Sequence, residues 1–244
     1  VLKVIKDYIK TKPRVYDAIN ALRPIASEAG VWLNHYSKLN HGTVKFIQVG
    51  ANDGLRGDPV RRFILRDNWS GVLVEPLLPV YLMLKDNYAH VKKGPLFFEN
   101  CAISDSPLDY IELWSFAETF LGSLSVEDQM NYLRKSSLHK EQIMHCFPEG
   151  GDVEHKIKCY KTRCQPLCAL IDRYFSAQPI DLIFIDAEGH DDHIIKTIDF
   201  GRCKPRAIFY ESHNLGSRSE ELNAFLTKQG YRLTQLGGDA VATI

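Results

Sequence analysis

Residues 46–59 read FIQVGANDGLRGDP, and this stretch decides the fold. The apolar run Phe46–Val49 stops at Gly50, and after Ala51, Asn52 and Asp53 a second glycine, Gly54, follows. A short apolar run bounded by glycine and polar turn residues is a buried strand delivered into a tight turn. Glycines at both ends of such a turn let the backbone fold sharply and lie close to a ligand. Residues from Pro59 to Asp67 then read as a helix. The dinucleotide fingerprint GxGxxG and the phosphate loop ending in GK[ST] are both absent.

Outward from this unit, strand and helix alternate. GVLVE (71–75) is a second strand, PLLPVYLMLKDNYA (76–89) a helix opening on proline, and PLFFENCAIS (95–104) a third strand. DYIELWSF (109–116) alternates as an edge strand would. The helix PLCALIDRYFS (166–176), the strand DLIFIDA (181–187) and the helix DDHIIKTIDF (191–200) follow. Next come the strand RAIFYES (206–212), the helix SEELNAFLTKQ (219–229) and a terminal hairpin, YRLTQLGGDAVATI (231–244). Short continuous apolar strands separated by helices predict a doubly wound α/β fold, a mostly parallel sheet covered on both faces. Ligands of such sheets bind beyond the carboxyl ends of the strands. Those ends carry Gly50, Glu75, Asn100, Asp186 and Glu211.

Two regions stand apart. Residues 1–43 read as a helical extension that caps the sheet or makes a homodimer contact, with helical periodicity in VLKVIKDYIKT (1–11), a break near Pro24 and a turn near Gly30. Residues 117–160 are long, polar and irregular, with a helix expected at VEDQMNYLRKSS (126–137). A loop of that length in a compact domain is usually functional or disordered.

Composition narrows the partners. Lysine plus arginine and aspartate plus glutamate both number 30, so the formal net charge is zero. That balance gives no support to a nucleic-acid partner. No apolar run reaches the length of a membrane span, and the N-terminus lacks a signal-peptide pattern, so a cytoplasmic location is the expectation. His145, Cys146, His155, Cys159, Cys164 and Cys168 gather in one segment, but their gaps fit no common zinc spacing. The six cysteines read as reduced thiols.

An acid ending the second strand, Glu75, matches the place where α/β nucleoside binders hold ribose hydroxyls, because a carboxylate accepts two hydrogen bonds from adjacent OH groups. NAD sites share this layout, and an NAD-dependent enzyme is one alternative. Taken together, VGANDG (49–54), GVLVEP (71–76), NCAISD (100–105) and DLIFIDAEGHDDHIIKTIDFG (181–201) resemble the FkbM family of S-adenosylmethionine-dependent methyltransferases. The resemblance covers about residues 44–244. It implies a seven-stranded class I core that uses S-adenosylmethionine, usually for O-methylation, with a glycan or secondary metabolite as acceptor. It also implies that residues 117–160 form a substrate cover. By matching motifs, Gly50, Ala51, Asn52 and Gly54 would hold the methionine part, Glu75 the ribose, and Asn100, Cys101 and Ala102 would lie along the adenine. Asp186 would face the sulfonium and the substrate. Two departures stand out. Gln48 occupies a place where many members carry an acid, leaving Asp53 as a substitute grip, and Phe184 occupies a place where many carry lysine. These departures keep alive a second alternative, a non-catalytic nucleoside binder.

Methyl transfer to a hydroxyl benefits from a positioned base. His213, in YESHN (210–214), is the preferred candidate and His190 the second. Asp186 belongs with them, since a carboxylate ending a buried strand is costly unless used. Glu188, Glu211 and Asn214 are expected to face the acceptor. The oxygen ligands Asp186 and Glu211 would also suit magnesium or calcium, but no dedicated ligand spacing supports a metal.

Overall fold

The computed structural model describes residues 12–104, 108–147, 153–176 and 178–244. The helix expected at residues 1–11 lies outside them. The chain begins with α1 (Pro13–Leu22) and α2 (Glu28–Leu39), then alternates β1 (Lys45–Val49), α3 (Arg61–Arg66), β2 (Ser70–Val74), α4 (Leu78–Tyr88) and β3 (Leu96–Glu99). A detour follows through β4 (Ala102–Ile103), β5 (Tyr110–Phe116), α5 (Glu118–Leu121), α6 (Val126–Leu133), α7 (Lys140–Met144) and β6 (Ile157–Gln165). The core resumes with α8 (Leu167–Phe175), β7 (Leu182–Ile185), α9 (Asp191–Lys196), β8 (Ala207–Glu211), α10 (Arg218–Lys228), β9 (Arg232–Leu236) and β10 (Asp239–Thr243).

The main sheet has seven strands in the order β3-β2-β1-β7-β8-β10-β9. β3, β2, β1, β7 and β8 run parallel, and β10 is antiparallel to both of its neighbours. The chain winds outward from β1 to β3, then returns to lay β7 on the other side of β1. The strand order therefore reverses between β1 and β7, and the crevice at their carboxyl ends is where a ligand binds in such sheets. Gly50 and Asp186 stand at that point, and the Asp186 N–H donates to the Val49 carbonyl (3.0 Å).

Alternation along each strand sorts the core into two layers. Ile47, Val49, Ile183, Ile185, Ile208 and Tyr210 pack with α8, α9 and α10, while Phe46, Leu73, Phe184, Phe209 and Val241 pack on the opposite face. Each fully buried apolar side chain of this size contributes about 1.5–3 kcal/mol. Phe184 stacks on Phe209 with ring centroids 4.7 Å apart, so the place where many relatives carry lysine is core packing here.

α2 completes the second layer. Its Leu33 is fully buried, Trp32 leans on Phe209, and the Tyr36 hydroxyl donates to the Asp181 carbonyl at 2.6 Å. Gly30 falls inside the first turn of α2 rather than at a break, because Ser27 caps the helix by accepting the Gly30 N–H. α1 is pinned by a bidentate ion pair between Asp17 and the buried Arg61 (2.7 and 2.9 Å).

The segment expected to be irregular is partly ordered. DYIELWSF is an edge strand, but of a separate three-stranded sheet ordered β4-β6-β5, in which it pairs antiparallel with β6. β6 alternates buried and exposed positions only loosely and carries three basic residues, Lys158, Lys161 and Arg163, which hid it in the sequence. A third apolar cluster (Leu77, Val80, Phe116, Met130, Leu133, Ile143) joins this cover to the start of α4.

Candidate functional site

The first turn is closed by its own chain. Gly50 has φ +78°, and a β-carbon there would overlap the Asp186 carbonyl oxygen; at Gly54 (φ +60°) it would run into the side chains of Leu84 and Tyr88. Both glycines are thus demanded by packing, whatever lies above them. Asn52 is left-handed at φ 49°, a conformation uncommon outside glycine, and its side-chain oxygen accepts the Asp53 N–H. The Gly50 and Ala51 N–H groups both donate to the Val74 carbonyl, which fastens the turn to the end of β2.

Asp53 does not reach a ligand as a free acid. Its carboxylate is fully buried, accepts the N–H groups of Leu55 and Arg56 at 3.1 and 3.0 Å, and pairs with the Arg56 guanidinium. Gln48 is 2% exposed and donates from Nε2 to Asp58 Oδ1 at 3.2 Å, while its Oε1 is buried without a hydrogen-bond partner. Asp58 also accepts the Val60 N–H and the Tyr88 hydroxyl, and burial pushes its carboxyl above the usual range. Gln48 thus serves the fold as a donor to the acid of the turn, Asp58.

Glu75 stands one residue past β2, buried at 7% exposure. Oε2 accepts the Asn52 N–H at 3.0 Å and Oε1 the Leu77 N–H at 2.9 Å, so the carboxylate ties the first turn to the second. Burial, then the charges of Asp53 and Asp186, push its pKa up to about 7 against those two hydrogen bonds. Each carboxylate oxygen keeps acceptor capacity after one N–H bond, which fits a pair of vicinal hydroxyls. Asn100 is bound into the β2 end through Nδ2 to the Glu75 and Pro76 carbonyls (2.9 and 3.0 Å). The Cys101 thiol is buried and accepts from Gln165 at 3.0 Å, with burial raising its pKa to about 11; Ala102 opens β4 beside it.

Across the crevice the ends of β7, β8 and β10 gather carboxylates. Asp186 is solvent-exposed where the buried strand ends, so its carboxylate lies at the surface of the crevice while the protein around it still removes part of its hydration. Crowding by the surrounding protein and then the charges of Glu211, Glu188, Asp191 and Asp239 push its pKa up to about 7. Glu188 is also exposed, in a left-handed turn at φ 50° that continues through Gly189 at φ 91°. Asp191 is fully buried and accepts the Ala187 and Glu211 N–H groups (3.3 and 3.1 Å), locking the β7 loop to β8.

His213 lies in a single 3-10 turn after β8, exposed, with Nδ1 3.3 Å from the Gly238 carbonyl and 3.5 Å from Glu211 Oε1. Asn214 Nδ2 donates to Glu211 Oε2 at 2.7 Å. Two acceptors facing Nδ1 favour the tautomer with the proton there, which leaves Nε2 able to take a proton. His190 occupies the N-cap of α9 without a side-chain capping bond, and burial, followed by the charges of His193, Arg218 and His139, lowers its pKa.

The cysteines of the segment that gathers histidine and cysteine are spread along β6 and α8: Cys159 pairs with Trp114 on the β5–β6 ladder, Cys164 is buried at the β4–β6 pairing, and Cys168 is on α8. All six cysteines are free thiols. Among the described residues no three or more His, Cys, Asp and Glu side chains form a metal-holding group, and no helix is long and apolar enough to cross a membrane. A cavity of about 630 Å³ lies behind the first turn, lined by Asp17, Leu55, Gly57, Asp58, Arg61 and His90 among others, on the α1 side rather than at the strand ends. Sequence reasoning missed Asp58, Asp239, Gly238 and Asn87. Asp58-Pro59 at the end of the glycine turn was the available signal for the first; the others are brought in by the terminal hairpin and α4, with no local mark.

Among curated proteins none matches the chain. The solved structure of an FkbM methyltransferase from Methylobacillus flagellatus KT is similar over 83% of this chain and 44% of its own, at 12% identity and a TM-score of 0.47. The chain thus spans less than half the length of that protein. The O-methyltransferase TomG from Streptomyces achromogenes, in complex with SAM, is similar over 96% of this chain and 88% of its own (12% identity, TM-score 0.45). The O-methyltransferase from Bacillus cereus, in complex with SAH, is similar over 95% and 88% (11% identity, TM-score 0.39). These are distant likenesses of fold. The family model of the methyltransferase FkbM domain matches residues 48–233, from the first turn to the terminal hairpin, and the chain belongs to that family.

Proposed function

We propose that the chain transfers the methyl group of S-adenosylmethionine to a hydroxyl oxygen of a small-molecule or glycan acceptor. The observation that carries this reading is the meeting of Glu75 with the Asn52 N–H beside Asp186, at the reversal of strand order. When bound, S-adenosylmethionine supplies an electrophilic methyl on a positively charged sulfur. Glu75 would accept the ribose hydroxyls, the turn Gly50–Gly54 would border the methionine part, and Asn100–Ala102 would border the adenine.

The chain's own residues have two tasks. One is to hold the acceptor oxygen close to the methyl and in line with sulfur, which can lower the barrier by several kcal/mol. The other is the acceptor's proton. His213, its Nδ1 facing Glu211 and the Gly238 carbonyl, would take that proton at Nε2 as the oxygen–carbon bond forms. The exposed carboxylates Asp186 and Glu188, with the half-buried Glu211 and with Asn214, offer acceptors to the other hydroxyls of a polyhydroxylated substrate.

Calorimetric titration with S-adenosylhomocysteine and transfer of labelled methyl to a panel of glycans and hydroxylated metabolites test the reading. Binding with transfer to oxygen supports it. Binding of NADH in preference to S-adenosylhomocysteine would overturn the cofactor assignment, and transfer to nitrogen or carbon alone would overturn the acceptor class.

A further inference from the structure

The turn from Asn52 to Asp58 is gripped from several sides. Besides Glu75 on Asn52, Asn87 Nδ2 donates to the Asp53 carbonyl (2.8 Å), Arg61 Nη1 to the Gly54 carbonyl (2.7 Å), and Gln48 Nε2 to Asp58. These grips come from the core: from β1, α3, α4 and the end of β2. One more comes from elsewhere. Arg134, at the C-terminal end of α6 in the cover, donates from Nη2 to the Arg56 carbonyl.

The same guanidinium lies over Gly57, where an added β-carbon would meet Nη2 at 3.4 Å and Nη1 at 3.9 Å. Its charge also reaches the opposite side of the crevice, favouring the ionised form of Glu188 against burial and the repulsion of Glu211. Arg134 therefore ties the cover to the first turn at the Arg56 carbonyl and over Gly57.

The cover behind Arg134 is packed as one unit. The rings of Phe116, Phe120, Tyr132 and Phe147 pack with centroids 4.8–6.3 Å apart, and Leu133 is buried. Ser136 donates to Ser115 (2.9 Å), and Trp114 and Ser137 exchange backbone hydrogen bonds at 2.7 and 2.9 Å, fastening the end of α6 to β5. A shift of the Arg56 carbonyl is thus passed through one side chain to a stiff unit.

We propose that Arg134 is a positioning residue that couples the two halves of the site, so that seating the methionine part of the cofactor against the first turn and seating the cover over the strand ends are one event. This rests on the cofactor reading above. Because coupling is reciprocal, an acceptor that closes the cover tightens the cofactor by the factor that the cofactor gives back.

Hydrogen exchange of residues 52–58 and 126–137, with and without S-adenosylhomocysteine, tests the link alongside calorimetric affinity. In the unaltered protein the ligand slows exchange in both segments. In Arg134→Ala it slows exchange in 52–58 alone and binds roughly tenfold more weakly, the scale of one lost charged hydrogen bond. Arg134→Gln, which keeps much of the packing stem, gives the same reading should the alanine variant not fold. Retention of cover protection, or of unaltered affinity, in these variants overturns the link while leaving the cofactor reading intact. Failure of the unaltered protein to bind S-adenosylhomocysteine overturns both.

Discussion

A β-carbon at Gly50 would overlap the carbonyl oxygen of Asp186, so the first turn meets the strand that follows the crossover backbone to backbone. The two residues end neighbouring strands, and the absence of a side chain at one lets the other's backbone close the crevice floor. Gly50→Ala meets both this overlap and a φ of +78°. The expected cost is at least about 2–3 kcal/mol. For a chain of this size each kcal/mol lowers Tm by about 2–4 °C, which thermal unfolding measures directly. A variant melting with the parent would mean that the strands can part without loss.

Three carboxyls near the crevice share one pH signature. Glu75 and Asp186 are pushed up to about 7 and Asp191 to about 6, from ordinary values near 4. Raised acids hold protons in the folded state that the unfolded chain has already released. Their favourable contribution is full below about pH 4, declines as pH rises through the window, and is gone above about pH 7. Urea unfolding of the ligand-free protein should show lower stability at pH 8 than at pH 5. Glu75→Gln removes one titrating group and should flatten that slope, and it should also weaken S-adenosylhomocysteine binding. A slope of the opposite sign would show that these acids ionise freely in the fold.

His213 differs from His190 in what faces it. Glu211 and the Gly238 carbonyl both address Nδ1 of His213, whereas burial and then the neighbours His193, Arg218 and His139 disfavour the protonated form of His190. His213→Gln should slow methyl transfer by ~10²–10⁴-fold with unchanged S-adenosylhomocysteine affinity. His190→Gln should leave both nearly unchanged. Equal rate losses in the two variants would reassign the base.

The α/β alternation was legible because strands such as FIQV and LIFI are buried on both faces and read as continuous apolar runs. Glu75 and Asp186 were legible because a parallel sheet sends ligands to its strand ends, a rule that needs no contacts. β6 was not legible, since an exposed strand rich in lysine and arginine imitates a polar loop. Nor was Asp58 or Arg134, whose partners Gln48 and the Arg56 carbonyl are set by how a long turn folds back and how the cover lands on it. Side chains that act across elements leave no period in the sequence. The same gap explains why Asp53, adjacent to the glycine, was read as a ligand grip when Arg56 already neutralises it.

Gln48 and Asp58 give that gap a test. Gln48 donates from Nε2 to Asp58 Oδ1, a bond that needs an amide on the strand if the turn carries the acid. Gln48→Glu, which restores the acid many relatives have, would set two carboxylates face to face at about hydrogen-bond distance. Like charges so close cannot both ionise, and one must hold a proton. The variant should lose about 1–3 kcal/mol at pH 8 and recover part of it at pH 5, where the shared proton is available. The paired change Gln48→Glu with Asp58→Asn should not regain the parent stability, because Asp58 Oδ1 also accepts the Val60 and Arg61 N–H groups, which an amide nitrogen in its place would oppose. Denaturant midpoints of the three proteins at the two pH values decide the matter. A stable single variant at pH 8 would mean that the strand position tolerates an acid beside Asp58, and that the Asp58 carboxylate is not what fixes glutamine there.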